Sequence, residues 1–373
     1  MLNPGLYLHF PWCVRKCPYC DFNSHPLRGS LDEAGYVAAL AADLDASLVD
    51  VKPGTIETVF CGGGTPSLFS AAAFAALLER LGPWLAGPAE ITMEANPGTV
   101  EHHDFAAYRR AGVNRLSLGA QSFDAGQLRR LGRIHNAEDS ARALQRARAG
   151  GFDNVNLDLM YGLSGQTADQ ALDDLEAALA LAPEHLSWYQ LTIEPKTEFA
   201  RRPPLLPVEA ELAEMERRGL ERLARAGYHR YEVSAFARDG FECRHNLNYW
   251  RFGDYLGAGA GAHGKRSRCR DGRMLIERTR KASQPRLYLQ SPAETEVIQV
   301  ADDAVVFEFM LNALRLADGV SHDCFEARTG RGREDLLAQW RPLVDEGLVR
   351  SDRIAATELG WRHLDTLLQR FLS

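Results

Sequence analysis

Short apolar runs alternate with amphipathic segments between residues 5 and 200 of the chain. The apolar runs predict strands at 5–10, 56–61, 91–94, 115–118, 155–160 and 186–193, and a segment with helical spacing follows each of them. One such helix is predicted at 32–49, and another begins after Ser70, whose hydroxyl suits an N-cap. This alternation is typical of an α/β fold with a parallel sheet covered by helices. Six strand–helix units fit a complete or partial (β/α)6 barrel, with an open doubly wound sheet as the alternative.

The pattern changes after residue 231. Residues 239–300 are rich in glycine, arginine and aromatic side chains with little periodicity, which predicts a loop-rich linker segment after a barrel at 1–238. From 301 to 373 helical spacing returns, and a short hairpin that leads into a helix gives this mostly helical module a winged-helix-like pattern. Winged helices often bind DNA, but the acidic chain favours a packing role for this module.

Composition and charge narrow the classes of function. The 373 residues are 45% hydrophobic and 25% charged, which is enough apolar surface to bury a large core. The net charge of −7 argues against a nucleic-acid partner, because binding to phosphates needs a cationic surface. We find neither a signal-peptide pattern nor an apolar run long enough to cross a membrane, so we expect a cytoplasmic protein whose contact with membranes is at most peripheral.

Three of the seven cysteines, Cys13, Cys17 and Cys20, form a C-x3-C-x2-C loop directly after the first predicted strand. In a reducing compartment, clustered thiols indicate metal ligands or catalysts rather than disulfides. A structural zinc site needs a fourth ligand, such as His9 or His25, and strand geometry points His9 along a buried sheet. An iron–sulfur cluster of the [4Fe-4S] type with three cysteine ligands has one open iron, which would hold a further ligand.

Polar and glycine residues mark the ends of the following strands. Gly62, Gly63 and Gly64 end the second strand, where their bare backbone allows the close approach of a ligand. Glu94 and Asp158 lie on later strands, and a carboxylate in an apolar strand is costly unless it is paired. Residues at the carboxyl ends of barrel strands meet at the active-site face. A structural ion-pair network at the barrel mouth is the alternative interpretation.

The loop, with Tyr19 before its last cysteine and the GGGTP sequence at 62–66, resembles the radical S-adenosylmethionine (SAM) superfamily. Further segments, among them YLHFPWC, EANPGT, SLGAQSF, GRIHNAED and NLDLMYGLSGQT, resemble the branch of oxygen-independent coproporphyrinogen III dehydrogenase and its relatives. The resemblance implies a radical SAM barrel in which the open iron binds SAM. The positions that it implies for SAM contact are Tyr7, Tyr19, Gly63, Gly64, Thr65, Glu94, Gln121, Arg133 and Asp158.

Two features separate this chain from the dehydrogenase. Phe22 stands where the dehydrogenase carries a fourth cysteine, and the HNLNYW sequence at 245–250 resembles that of the HemW-type heme chaperones. That resemblance implies heme as a cofactor, with His245 as an iron ligand and Tyr249 and Trp250 against the porphyrin. Cys243 is an alternative attachment point.

The predicted function is therefore that of a heme chaperone that carries a [4Fe-4S] cluster and SAM. Its predicted partners are acceptor hemoproteins, respiratory enzymes among them. Coproporphyrinogen III dehydrogenase activity and another tetrapyrrole-related radical SAM activity are the alternatives. No catalytic residue is assigned.

Overall fold

The framework of the protein is a twelve-stranded sheet, seen in a computed structural model that describes residues 3–98, 104–271 and 273–372. Thr99, the last residue of the EANPGT segment, lies outside the described residues. The described strands are β1 (Gly5–Phe10), β2 (Trp12–Cys13), β3 (His25–Pro26), β4 (Ile56–Gly63), β5 (Leu85–Ala95), β6 (Arg115–Gln121), β7 (Val155–Tyr161), β8 (His185–Gln190), β9 (His229–Glu232), β10 (Ala235–Ala237), β11 (Tyr255–Ala258), β12 (His263–Arg270), β13 (Arg273–Arg280) and β14 (Glu296–Gln299).

Helices connect the strands and form the C-terminal region. They are α1 (Glu33–Leu48), α2 (Ala71–Leu81), α3 (Phe105–Ala111), α4 (Ala125–Arg130), α5 (Ala137–Ala149), α6 (Ala168–Ala180), α7 (Glu198–Arg201), α8 (Glu209–Arg225), α9 (Arg244–Trp250), α10 (Pro285–Gln290), α11 (Val305–Ala313), α12 (His322–Thr329), α13 (Arg333–Asp345), α14 (Glu358–Arg362) and α15 (Leu364–Gln369). The predicted cap is confirmed, since the Ser70 hydroxyl accepts a hydrogen bond from the Ala73 amide at 3.2 Å.

The six predicted strands correspond to β1, β4, β5, β6, β7 and β8, which lie side by side in that order and pair in parallel. The α/β prediction with a partial barrel is confirmed. The sheet is open, because β1 and β8 do not pair with each other, and at least one helix lies in each connection between consecutive strands of the six. The main core is apolar and lies between this sheet and the helices, with Leu6, Leu8, Leu116 and Leu157 fully or almost fully buried.

Both ends of the parallel sheet are extended by other strands. β11 pairs in parallel with β1, and β12, β13 and β14 continue the sheet in antiparallel fashion, while β10 and β9 follow β8. Residues 239–300, which the sequence predicts as a loop-rich linker, thus supply α9 and four strands of the framework. Glycine made this segment resemble a loop in the sequence, but Gly257 lies within strand β11. Glycine is required there because a Cβ would lie 2.1 Å from the His263 carbonyl oxygen.

The C-terminal region is mostly helical and has a core of its own, in which Phe309, Phe325 and Trp340 are buried. Antiparallel bridges join Val320 to Ile354 and Val349 to Ala356 just before α14, in agreement with the predicted hairpin and helix. Within the described residues, no helix has both the length and the apolar character needed to span a membrane.

Candidate functional site

The three-cysteine loop begins where β1 ends and is held by short-range contacts. β2 and β3 pair Trp12 with His25, so the chain returns to its starting point around the loop. The Lys16 ammonium donates to the carbonyl oxygens of Phe22 at 2.9 Å and Ser24 at 3.2 Å. These contacts fix the loop at the carboxyl ends of the parallel strands, where ligands bind in barrels of this kind.

A cavity of about 400 Å³ opens beside the loop. The three cysteines and eight of the nine positions proposed to contact SAM line it: Cys13, Cys17, Cys20, Tyr19, Gly63, Gly64, Thr65, Glu94, Gln121, Arg133 and Asp158. The ninth position, Tyr7, is not among the lining residues. The fold therefore brings together side chains from β4, β5, β6 and β7 with the loop that follows β1.

The glycines of the cavity wall are required by close packing. Gly63 has a φ of +110°, and a Cβ there would lie 2.3 Å from the ring of His9. A Cβ on Gly64 would lie 2.5 Å from the Trp12 carbonyl oxygen. Backbone of β4 therefore packs directly against the chain that carries the cysteines, which only glycine permits.

Two carboxylates face each other in the cavity. The Glu94 carboxylate accepts a hydrogen bond from the Gly63 amide at 3.0 Å, and burial followed by the charge of Asp158 raises the pKa of Glu94 to about 7. Asp158 accepts hydrogen bonds from Ser117 at 3.0 Å and Asn156 at 2.8 Å, while burial raises its pKa. A cationic ligand between them would favour the ionised form of both groups.

Arg133 supplies a positive charge next to the loop. Its Nη2 donates to the Gly119 carbonyl oxygen at 2.7 Å, its Nη1 lies 3.8 Å from the Cys17 sulfur, and its buried Nε has no partner among the described residues. A guanidinium is always charged, so Arg133 places a permanent positive charge beside the cysteine loop. The unused N–H is available to an anionic group of a ligand.

Gln121 adopts a conformation that is rare for its residue type. Its φ is +69°, and its side-chain oxygen accepts a hydrogen bond from the Tyr189 hydroxyl at 2.7 Å. Backbone in this region is strained for a residue with a Cβ, and such residues cluster at ligand sites. Tyr189, at the end of β8, also lines the cavity, and sequence reasoning missed it because no local motif marks it.

The donor set fits an iron–sulfur cluster with one open iron. All seven cysteines are free thiols, and three of them lie on one loop at the cavity. Soft thiolates suit such clusters, and Arg133 offsets part of their negative charge. Glu94, Asp158 and Gln121 line the same cavity and supply acceptors and donors for a zwitterionic ligand.

Tyr7 lies inside the barrel but is engaged elsewhere. Its hydroxyl makes a hydrogen bond with His9 Nδ1 at 3.0 Å, and its ring stacks on Phe60 at 6.3 Å between centroids. The second nitrogen of His9 bonds to the Asn23 carbonyl oxygen at 2.8 Å. Tyr7 thus supports the chain on both sides of the cysteines, and its predicted contact with SAM stays a prediction.

His245 lies at the amino-terminal end of the barrel, away from the cavity, and is 0% exposed. Its Nδ1 bonds to the Thr58 hydroxyl at 2.9 Å and its Nε2 to the Tyr249 hydroxyl at 2.7 Å. Burial and then the charge of Arg115 lower the pKa of His245 to about 3. Both ring nitrogens are occupied, so His245 offers no free nitrogen to a heme iron in this conformation.

The start of helix α9, which carries the HNLNYW segment, is held at the same end of the barrel. The Glu90 carboxylate accepts hydrogen bonds from the backbone amides of Arg244 and His245, both at 3.1 Å, and thereby caps α9. The ring of Phe60 stacks on His245 at 5.3 Å. α9 is thus anchored to the inner wall, which the sequence of the segment alone does not indicate.

Comparison with known proteins agrees with this architecture. The family model of the radical SAM superfamily matches residues 7–178, and that of the HemN C-terminal domain matches residues 300–363. The solved structure of coproporphyrinogen III oxidase (HemN) from Escherichia coli superposes with a TM-score of 0.79 over 99% of this chain and 90% of that chain. At 23% identity this likeness shows the fold alone. With the family match, the fold defines a radical SAM protein.

The relatives narrow the class further. The chain is 47% identical to the heme chaperone HemW of Escherichia coli (strain K12) and 45% identical to that of Haemophilus influenzae. Each alignment covers 99% of this chain and 98% of the relative. The chain therefore belongs to the HemW family.

Proposed function

We propose that this protein is a heme chaperone that binds a [4Fe-4S] cluster and SAM in the cavity beside the cysteine loop. The observation that carries the proposal is the convergence of three free thiols with Arg133, Glu94 and Asp158 around one cavity. The names of the full-length relatives support the delivery of heme.

Each group of residues has a distinct task in this proposal. Cys13, Cys17 and Cys20 hold the cluster, which when bound would supply an electron to SAM on its open iron. Glu94 and Asp158 accept hydrogen bonds from the ligand and offset its positive charge. The Arg133 Nε, which is without a partner in the described part of the chain, would donate to a carboxylate.

Oxidation of coproporphyrinogen III is a weaker candidate. The likeness to the oxidase is one of fold, and Phe22 stands where the resemblance implies a fourth cysteine. Phe22 lines the cavity and is 58% exposed, and its phenyl ring carries no atom that could bind iron. Anaerobic incubation of coproporphyrinogen III with the reconstituted protein, SAM and a reductant should give no protoporphyrinogen; its formation would favour the oxidase.

Heme ligation by His245 is part of the proposal, with a structural condition. The imidazole must give up its hydrogen bonds to Thr58 and Tyr249 before either nitrogen can reach an iron. Release of α9 from Glu90 would allow this. The release gives up the two His245 hydrogen bonds, of about 1 kcal/mol each, and the two amide contacts of Glu90. The iron–nitrogen bond and the burial of a porphyrin would have to offset their sum.

A heme titration followed at the Soret band tests this ligand. His245→Ala should shift the band and weaken binding, whereas His363→Ala, at an exposed histidine of the C-terminal region, should change neither. Iron content of the cluster should stay the same in both variants. An unchanged spectrum and affinity for His245→Ala would make this residue structural.

Transfer tests the function itself. The heme-loaded protein, mixed with an apo-hemoprotein such as a respiratory cytochrome subunit, should lose its heme spectrum as the acceptor gains activity. Free heme at the same concentration is the control. If the acceptor gains heme no faster than from free heme, the protein is not a chaperone for it.

A further inference from the structure

A chain of buried polar side chains links the cavity to the opposite end of the barrel. Asp158, in the cavity, accepts a hydrogen bond from Asn156 Nδ2 at 2.8 Å. Asn156 Oδ1 lies 2.6 Å from His185 Nδ1, and His185 Nε2 lies 2.8 Å from the Tyr231 hydroxyl. That hydroxyl accepts a hydrogen bond from the Cys243 amide at 3.3 Å. Cys243 is the N-cap residue of α9.

The hydrogen bonds in this series of side chains all have the same direction of donation. Asn156 Nδ2 donates to Asp158 and to the Ser117 hydroxyl at 2.7 Å, so its Oδ1 must accept from His185. His185 therefore carries its proton on Nδ1, and its Nε2 accepts from the Tyr231 hydroxyl. Every link points from α9 towards the Asp158 carboxylate.

The surroundings favour the single-proton form of His185 that this direction requires. The residue is 1% exposed, and burial followed by the charge of Arg115 lowers its pKa well below the ordinary value. Arg115 is 2% exposed, and its Nε has no partner within the described ranges. A second positive charge on His185 would lie next to this buried cation.

Tyr231, at the far end of this series of side chains, and the neighbouring Glu90 both bind backbone amides at the start of α9. Tyr231 accepts from the Cys243 amide, and Glu90 accepts from the two amides that follow. A shift of α9 would therefore pull on Tyr231 and, through His185 and Asn156, change the position of the Asp158 carboxylate.

We propose that Asn156, His185 and Tyr231 are positioning residues that orient Asp158 for the ligand of the cavity and couple the occupancy of the cavity to α9. This inference rests on the proposed binding of SAM. None of the three residues touches the ligand in this account; they act through Asp158.

Tyr231→Phe is the sharpest test, because it removes one hydroxyl and keeps the ring. SAM affinity of the reconstituted protein should fall about two- to tenfold, as expected for one internal hydrogen bond. The matched control is Tyr228→Phe. The buried Tyr228 hydroxyl donates to the Pro183 carbonyl oxygen and is not part of the series of side chains from Asp158 to Tyr231, so this variant should leave SAM affinity unchanged. Equal affinities of Tyr231→Phe and the wild type would overturn the proposal.

A double-mutant cycle separates positioning from a general structural role. In an Asp158→Ala background there is no carboxylate to orient, so Tyr231→Phe should weaken SAM binding no further. An equal loss in both backgrounds contradicts the proposal. If the wild-type protein itself does not bind SAM, the proposed function fails first and this inference with it.

Two further measurements complete the test. In ¹⁵N NMR spectra of histidine-labelled protein, His185 should show a protonated Nδ1 and an unprotonated Nε2. The opposite tautomer would overturn the proposed direction of hydrogen-bond donation from Tyr231 to Asp158. Hydrogen exchange of the peptide 240–250 should slow when SAM binds to the wild type, but not to Tyr231→Phe. Unchanged exchange in the wild type would refute the coupling to α9.

Discussion

The two ends of the barrel contain similar residues but differ in how the protein itself satisfies them. At the carboxyl end Glu94 and Asp158 face each other, and Arg133 Nε has no partner in the described residues. At the amino-terminal end both nitrogens of His245 and both oxygens of Glu90 are hydrogen-bonded within the chain. Arg115 Nε and Trp250 Nε1 also lack a partner among the described residues, but neither residue lines the cavity. Unmet polar capacity that faces a cavity indicates a ligand site, whereas a closed set of hydrogen bonds such as that of His245 and Glu90 indicates a structural one.

The arrangement at the cavity end costs conformational and electrostatic free energy that a bound ligand would offset. Raised pKa values of the two carboxyl groups and the positive φ of Gln121 make the cavity end unfavourable when it is empty. Such strain persists at functional sites because the surrounding fold imposes it. The amino-terminal end carries a buried cation, Arg115, but Glu90 lies near it.

The largest effect should come from the loop. Cys17→Ala removes one of three ligands, so iron bound after anaerobic reconstitution should fall from about four per chain to nearly none. Cys269→Ala, at an exposed cysteine of β12, should keep the full amount. Full iron in Cys17→Ala, measured by a colorimetric assay, would remove Cys17 from the ligand set.

At the opposite end the expected loss is one of stability. Glu90→Ala exposes two amides of α9 and leaves Arg115 without its nearby carboxylate, which should cost about 3 kcal/mol. Glu57→Ala removes an exposed partner of Arg244, at 3.6 Å, and should cost less than about 1 kcal/mol. Chemical unfolding measures both values. Similar stabilities of the two variants would show that Glu90 does not hold the end closed.

Loss of a cavity carboxylate should affect binding instead. Asp158→Ala should weaken SAM binding about ten- to a hundredfold, because each such contact contributes on the order of 1–3 kcal/mol. Its cluster iron should stay at the wild-type amount. Asp153→Ala, at an exposed carboxylate just before β7, serves as the control for isothermal titration. Iron loss together with affinity would assign Asp158 to the fold.

The smallest effect concerns pH. The pKa of Glu94 is about 7 in the folded protein against an ordinary 4.5, so the folded state holds a proton that the unfolded state releases. This contribution to stability is complete below pH 4.5 and is lost as the pH rises through 7. Glu94→Gln cannot ionise, so its Tm at pH 8 should exceed that of the wild type by a few degrees. At pH 4 the two should agree; a higher wild-type Tm at pH 8 would contradict the assignment.

Local sequence was enough to predict the parallel strands and the cavity. Apolar runs set the positions of β1, β4, β6 and β7 to within three residues. The resemblance to the coproporphyrinogen III dehydrogenase branch implied eight residues that do line one cavity, and Gly63, Gly64, Glu94 and Asp158 among them were also marked by their chemistry at strand ends. Both features depend on neighbours in sequence or on the shared edge of a parallel sheet. β5 runs from Leu85 to Ala95, and its first half was missed because it contains Gly87 and Pro88.

What the sequence did not reveal depends on long-range contacts. His245 is closed off by Thr58, which is 187 positions away, and Gln121 is held by Tyr189, 68 positions away. A histidine with aromatic neighbours has the same local pattern whether its nitrogens are free or bonded. Only the fold decides which of the two applies.

The central claim is that the cavity holds a four-iron cluster on which SAM binds, and metal analysis with SAM titration tests it most directly. Protein reconstituted without oxygen should contain about four irons and four acid-labile sulfides per chain. It should bind SAM, whereas the protein without the cluster should bind it far more weakly. Stoichiometric zinc without sulfide, or equal SAM binding with and without the cluster, would contradict the account.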